Sequence, residues 1–211
     1  MDRGPPTESQ AMDAALSFRQ FILRLRQACT QGPQAMDQLL REGRLHRREV
    51  EPYALLREGC YTRTLVYRDE DLEVLVLGWG RDARAPIHGH DGQQCWLLTV
   101  AGELEVVNYR LVAGGQEPGY ALVERMGPRR PLLPGALDHR DPEAELHSVC
   151  TGVDSDFAIS LHIYSRPIES CLVYDPRRSR CELRQLRYDR LMPLADPPSP
   201  LLREVAPDAA P

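Results

Sequence analysis

Between Asp13 and Cys29 the apolar residues Ala15, Phe18, Phe21, Ile22, Leu25 and Ala28 recur at three- and four-residue steps, with arginines between them. That period lays them along one face of an α-helix, so an amphipathic helix is predicted. Met36, Leu39 and Leu40 predict a second short helix before Gly43, and VEPYALLREG (50–59) predicts a third, with Pro52 near its start and Gly59 past its end. After Gly59 the texture changes to runs of Val, Leu, Tyr and Thr broken by turn residues. Strands are predicted at 61–67, 72–79, 94–100, 103–111, 119–125 and 157–164, with a tight turn at 101–103 (AGE). Such a series closes into an all-β small barrel or jelly roll, which hides strand edges and leaves a lumen for a ligand.

With 211 residues, 42% of them hydrophobic, the chain can bury one ample core. A single domain is expected over 13–185, with helices in 13–58 and the barrel in 60–175. Disorder is expected at 1–12 and, given the proline- and alanine-rich end, at 186–211. The arginine run RRSRCELRQLRYDR is read as a solvated face. A net charge of −5 and a pI near 5.7 argue against a nucleic-acid or acidic-membrane partner and for a small molecule. No signal peptide or membrane span is evident, so a soluble, cytoplasmic protein is expected, and a monomer. The six cysteines lack a CxxC spacing and are read as thiols.

Candidate chemistry centres on PIHGHDGQQCW (86–96). In an extended chain His88 and His90 share one face, with Cβ atoms roughly 7 Å apart, so both imidazoles can reach one cation. Taken alone, an HxH pair also occurs by chance. After His90 come four residues, Cys95, six more residues and Gly102. This spacing resembles the first motif of the cupin superfamily, with Cys95 where that motif has a glutamate ligand. PGALDHRDPEAELHSVC resembles the second motif through Pro134, Gly135 and His147, although its usual asparagine is Thr151 here. His139 is the rival third ligand; His147 is preferred because it heads an apolar stretch. Three neutral imidazoles leave a metal its full double charge and favour an anionic ligand such as a thiolate.

FAISLHIYSRP (157–167) places Ser160, His162 and Tyr164 on one face at period two, with Ile159, Leu161 and Ile163 on the other. A hydrogen-bond chain along the three polar residues could orient the phenol; a structural polar ladder is the alternative. HxHx(4)C, the later Leu146-His147, the S-x-H-x-Y strand, YTRTLV (61–66) and GWG (78–80) together resemble the cysteine dioxygenase family of thiol dioxygenases, a branch of the cupins. The similarity runs from about Tyr61 to Tyr174.

The resemblance implies Fe(II) on His88, His90 and His147, a small thiol and O2 as partners, and conversion of L-cysteine to cysteine sulfinic acid. It further implies that Arg63 grips the substrate carboxylate, that Tyr164 hydrogen-bonds the reacting ligands, and that a thioether joins Cys95 to Tyr164. Tyr61, on the same strand face as Arg63, is a candidate for the same pocket or a packed aromatic; Trp79 is read as core. Vertebrate-type members carry a cis Ser-Pro bond after the tyrosine, but this chain reads Tyr164-Ser165-Arg166-Pro167. A cis bond before Arg166 would cost about 2.5–4 kcal/mol, so trans is expected. A branch resembling 3-mercaptopropionate dioxygenase has glutamine at the position of Arg63 and lacks the cis proline. Arg63 therefore argues for cysteine, and Arg166 leaves room for a thiol lacking the amine. Other rivals are a cupin isomerase or carbon-carbon bond-cleaving dioxygenase, which would need the missing glutamate, and a non-catalytic metal-binding cupin, which would need neither Arg63 nor Tyr164.

Overall fold

A computed structural model describes residues 16–194 except 44 and 143–145. The expected disorder at 1–12 and from 195 onward lies outside the described residues, as does the start of the first predicted helix. That helix, α1 (Phe18–Gln31), opens on Ser17. The Ser17 hydroxyl accepts from the Gln20 amide and the Gln20 side chain accepts from the Ser17 amide, which satisfies two donors left free at a helix start. Gly32, at φ +100°, turns the chain into α2 (Pro33–Glu42). A short α3 (Arg47–Val50) and a 3₁₀ turn (Glu51–Tyr53) follow.

Twelve strands are described: β1 (Tyr61–Arg68), β2 (Glu73–Gly80), β3 (Arg84–His88), β4 (Cys95–Gly102), β5 (Leu104–Gly114), β6 (Gly119–Leu132), β7 (Leu137–Arg140), β8 (Leu146–Thr151), β9 (Phe157–Tyr164), β10 (Ser170–Asp175), β11 (Arg180–Gln185) and β12 (Arg190–Leu191). One sheet runs β12-β1-β2-β9-β4-β7. The other runs β10-β11-β6-β5-β8-β3 and closes through pairing of β10 with β3. The result is a small cupin-type β-barrel with its helices at the N-terminal end of the chain.

The third predicted helix is not formed beyond the 3₁₀ turn. From Ala54 the chain lies across β2 instead, with the Leu55 carbonyl accepting from the Thr62 hydroxyl. A Cβ at Gly78 would stand 2.3 Å from the Leu55 oxygen, and one at Gly80 1.9 Å from the Arg57 oxygen. The two glycines flanking Trp79 are thus what admits this segment. The predicted turn at 101–103 does form, on Gly102 at φ +68°, but it passes from one sheet to the other and does not join paired strands.

Alternation along the first sheet divides the apolar residues into two layers. Val74, Val76, Trp96, Leu98, Ile159, Leu161 and Ile163 face outward and pack with Phe18, Phe21, Ile22, Leu25, Met36 and Leu40 of the two helices. Leu65, Leu75, Leu77, Trp79, Cys95, Leu97 and Tyr164 face inward and meet Ala85, Leu104, Val106, Val149 and Val173 of the second sheet. The helices therefore seal the outer face of the sheet, and its inner face is left to line the lumen.

Residues 186–194, assigned from composition to a disordered tail, are part of this fold. Strand β12 pairs in parallel with β1, and the backbones of Asp189, Met192 and Leu194 donate to the carbonyls of Arg63, Leu65 and Val66.

Candidate metal centre and its cavity

The closed second sheet brings two histidines together by register. His88, the last residue of β3, is directly opposite His147 of β8. His90 does not share a strand with His88, contrary to the extended geometry expected from the sequence; it lies past the end of β3 and is carried back by the Gly89–Gly92 turn, in which Asp91 and Gly92 take positive φ. The three rings nevertheless converge, with centroids 4.6, 4.9 and 5.1 Å apart. One nitrogen from each lies within 4.8 Å of the others, and no other group of this kind is found among the described residues.

Nε2 of His90 and both nitrogens of His147 are buried without a hydrogen-bond partner. Leaving polar atoms unpaired in an interior is costly, and a cation ligated by one nitrogen of each ring lowers the cost. Burial pushes all three imidazoles below the usual histidine range, His88 to about 3, so each is neutral and its lone pair is free for ligation. The donor set fits a divalent transition metal. His88 Nδ1 is 2.9 Å from the Pro86 carbonyl, which leaves Nε2 for the metal.

Sequence reasoning missed the residues behind His147. Asp138 Oδ2 lies 3.5 Å from His147 Nδ1, and the same carboxylate accepts from Arg140 Nε at 2.8 Å and from Arg130. Burial alone would raise this carboxyl, but the neighbouring His147 imidazole and the Arg140 charge hold it well below the usual carboxylate range. The signal was present in LDHR, which reads as a charged loop but forms β7. Asp138 and Arg140 alternate inward while His139 turns to the outer face. There His139 stacks on Trp96 at 4.7 Å, with Nδ1 3.0 Å from Asp37 of α2, away from the other histidines.

Inner-face residues of the first sheet form cross-strand rungs. One reads Arg140, Cys95, Tyr164, Glu73, Arg68, and the next Asp138, Leu97, His162, Leu75, Leu65. Cys95 and Tyr164 are thus directly opposite each other on β4 and β9. Burial and the nearby Asp138 push the Cys95 thiol up, and burial does the same to the Tyr164 phenol, so both keep their protons. The expected hydrogen-bond chain along Ser160, His162 and Tyr164 is not formed. Ser160 Oγ accepts from the Trp79 indole at 2.9 Å, and His162 Nε2 has no partner. Same-face neighbours two apart on a strand stand too far from one another for a direct bond; the centroids of His162 and Tyr164 are 6.4 Å apart.

These groups surround one cavity of about 40 Å³, lined by His88, His90, His162, Tyr164, Arg63 and Tyr61 on its polar side and by Leu77, Val149, Ile168 and Val173 on its apolar side. One water needs roughly 10–15 Å³ on this measure, so the space suits a ligand of a few heavy atoms. Trp79 is both core and wall; it is 1% exposed, and its ring is 5.0 Å from Tyr61. Arg63 is buried, and its Nη2 has no hydrogen-bond partner.

A cluster of three buried imidazoles able to hold a metal, inside a β-barrel and beside a cavity lined by a tyrosine and a buried arginine, is the arrangement of a cupin. The chain belongs to the cysteine dioxygenase type I family, whose sequence model matches residues 9–177. Cysteine dioxygenase type 1 of Homo sapiens is 28% identical over 126 residues, 59% of this chain and 60% of that protein. The Danio rerio protein of the same name is 29% identical over 128 residues, 59% of this chain and 61% of its own. The chain thus aligns with about three fifths of the length of these relatives. Among solved structures, a cupin superfamily protein from Desulfitobacterium hafniense aligns over 54% of this chain and 84% of its own, at 11% identity and a TM-score of 0.39.

Proposed function

We propose that the protein is a non-haem Fe(II) thiol dioxygenase that converts L-cysteine and O2 to cysteine sulfinic acid. The observation that carries the reading is the cavity itself, lined by His88, His90, Arg63 and Tyr164, with His147 completing the buried histidine cluster and Cys95 directly opposite Tyr164. An Fe(II) held by His88, His90 and His147 would supply the site at which a thiolate is bound and dioxygen is activated. Both oxygen atoms end on the sulfur, so R–SH and O2 give R–SO2H with no other reductant.

Arg63 binds the substrate carboxylate through a planar fork of donors and so fixes the sulfur relative to the histidines. Tyr164, whose ring is 6.2 Å from that of His90, donates its phenol proton toward the reacting sulfur and oxygen atoms. Leu77, Ile168 and Val173 exclude water from the same space. Tyr61 narrows the carboxylate end; His162 presents its free Nε2, and Ser160 acts only through Trp79.

A thioether between Cys95 sulfur and the Tyr164 ring would pin the phenol. Its formation removes one hydrogen from the thiol and one from the ring, and dioxygen takes up both, with their two electrons, to leave as hydrogen peroxide. The intact protein purified from aerobic cells is therefore expected to be lighter by two hydrogens than its sequence mass, in part or in full, and Cys95→Ser is expected to restore the sequence mass. Mass spectrometry of the two proteins decides it; equal deficits in both would remove Cys95 from the link.

The lining includes no carboxylate that could pair with a substrate ammonium group. This favours 3-mercaptopropionate, which has no amine, as the second reading. Oxygen uptake by the Fe(II)-loaded protein, offered cysteine, 3-mercaptopropionate and cysteamine separately, tests both. Stoichiometric sulfinate from a carboxylate-bearing thiol is expected. No uptake with any of the three would leave only a non-catalytic metal-binding role. Among the described residues no helix is long and apolar enough to cross a membrane.

A further inference from the structure

Arg63 owes its position largely to the C-terminal segment that the sequence places in a tail. Its Nη1 donates to the Arg187 carbonyl at 3.1 Å, and its backbone amide donates to the Asp189 carboxylate at 2.9 Å. The guanidinium carbon lies 5.3 Å from the centroid of the Tyr188 ring, within the range of a cation–π contact. Tyr188 is itself held at both sides of its hydroxyl, which donates to Glu73 and accepts from Arg68 Nη1 at 2.9 Å. Glu73 is fully buried, one oxygen 3.9 Å from Arg63 Nη2 and the other 3.9 Å from Arg68 Nη1. Tyr188 does not line the cavity; it supports Arg63 from behind.

We infer that Tyr188, anchored by Glu73 and Arg68, is a positioning residue that sets the plane of the Arg63 guanidinium and thereby the selectivity for carboxylate-bearing thiols. A guanidinium matches a carboxylate only when its fork is coplanar with the two oxygens. Nη1 is spent on a backbone carbonyl and the ring backs one face, so the remaining donors are directed into the cavity before substrate arrives. Such preorganisation lowers the ordering cost of binding without touching the reacting atoms. The Glu73 charge keeps the desolvated arginine partly compensated at 3.9 Å, short of a hydrogen bond that would consume Nη2.

The inference rests on the thiol dioxygenase reading, and the test separates the two. Tyr188→Leu and Tyr188→Phe are made in the full chain and in an Arg63→Ala background. KM and kcat are measured for cysteine and 3-mercaptopropionate, together with anaerobic thiol affinity by calorimetry. Tyr188→Leu is expected to raise KM and Kd about tenfold while kcat changes less than about threefold; Tyr188→Phe, which keeps the ring but loses both anchors of its hydroxyl, is expected to fall between Tyr188→Leu and wild type. In the Arg63→Ala background the Tyr188→Leu effect on kcat/KM is expected to vanish to within about twofold. An equal loss in both backgrounds, or an unchanged KM in Tyr188→Leu, overturns the inference and leaves the enzyme reading standing. A wild-type protein that neither binds nor oxidises either thiol overturns both.

Discussion

Replacing His147 with alanine is expected to abolish stoichiometric Fe(II) binding and with it all thiol-dependent oxygen uptake. His147 is 1% exposed and directly opposite His88, so water has little access to substitute for it. Loss of the supporting residues around a metal-binding histidine alone typically weakens metal binding about 10–100-fold, and loss of the ligand itself should exceed that. Metal content after gel filtration, with thermal unfolding as a check on the fold, measures the effect. His139→Ala supplies the contrast: it loses a stack on Trp96 and a contact to Asp37 that fasten α2 to the barrel, so it should soften the protein and leave the iron in place. Loss of iron in His139→Ala with full occupancy in His147→Ala would reverse the assignment of the third ligand.

That contrast also shows which parts of the site a sequence can disclose. His88, His90 and Cys95 lie within one short segment, so their spacing carries the information. On β9 strict alternation places Ser160, His162 and Tyr164 on the inner face because the outer face must bury Ile159, Leu161 and Ile163 against α1 and α2. Alternation says nothing, however, about which residue of another strand stands opposite. Register alone puts Cys95 across from Tyr164 and Arg140 on the other side of Cys95, and register is a property of the folded sheet. For the same reason the role of Glu73 was not visible in LEVLVLGW, where it reads as one polar residue at the head of an apolar strand.

Short strands were the other loss. β7, with four residues, and β12, with two, leave too little periodicity to detect, and yet they supply Asp138 and flank Tyr188. β6 runs to Leu132, past the end predicted at 125, although Pro128 and Pro131 argue against a strand there. A register shift between Val106 and Asn108 of its partner β5 falls opposite 126–130 and accommodates the irregular backbone around Gly127 and Pro128. The arginine-rich end misled in a different way. Its guanidinium groups are largely solvated, as composition suggests, but its backbone carbonyl at Arg187 and the ring of Tyr188 are what Arg63 rests on.

Arg63→Ala is expected to raise KM for cysteine and 3-mercaptopropionate by about 100-fold, because truncating one partner of a buried hydrogen-bonded charge pair costs about 2–5 kcal/mol. The substrate amine and sulfur do not meet Arg63 in this reading, so kcat at saturation should fall much less. Cysteamine, which has no carboxylate, should be turned over no worse than by wild type. The variant also leaves Glu73 facing a void without one of its two guanidinium neighbours. A buried carboxylate that loses its partner destabilises the fold unless it takes up a proton. Burial already raises the Glu73 carboxyl, with the Arg63 charge opposing it, so removing that charge shifts the group further toward the neutral form. Arg63→Gln, close in length and able to donate one hydrogen bond, separates the two effects: stability should recover while KM remains high. Arg63→Lys keeps the charge but replaces the fork with a single point, and should lie between alanine and wild type for both thiols. An unchanged KM in Arg63→Ala would place the carboxylate elsewhere, with Arg184 at the cavity wall the next residue to replace.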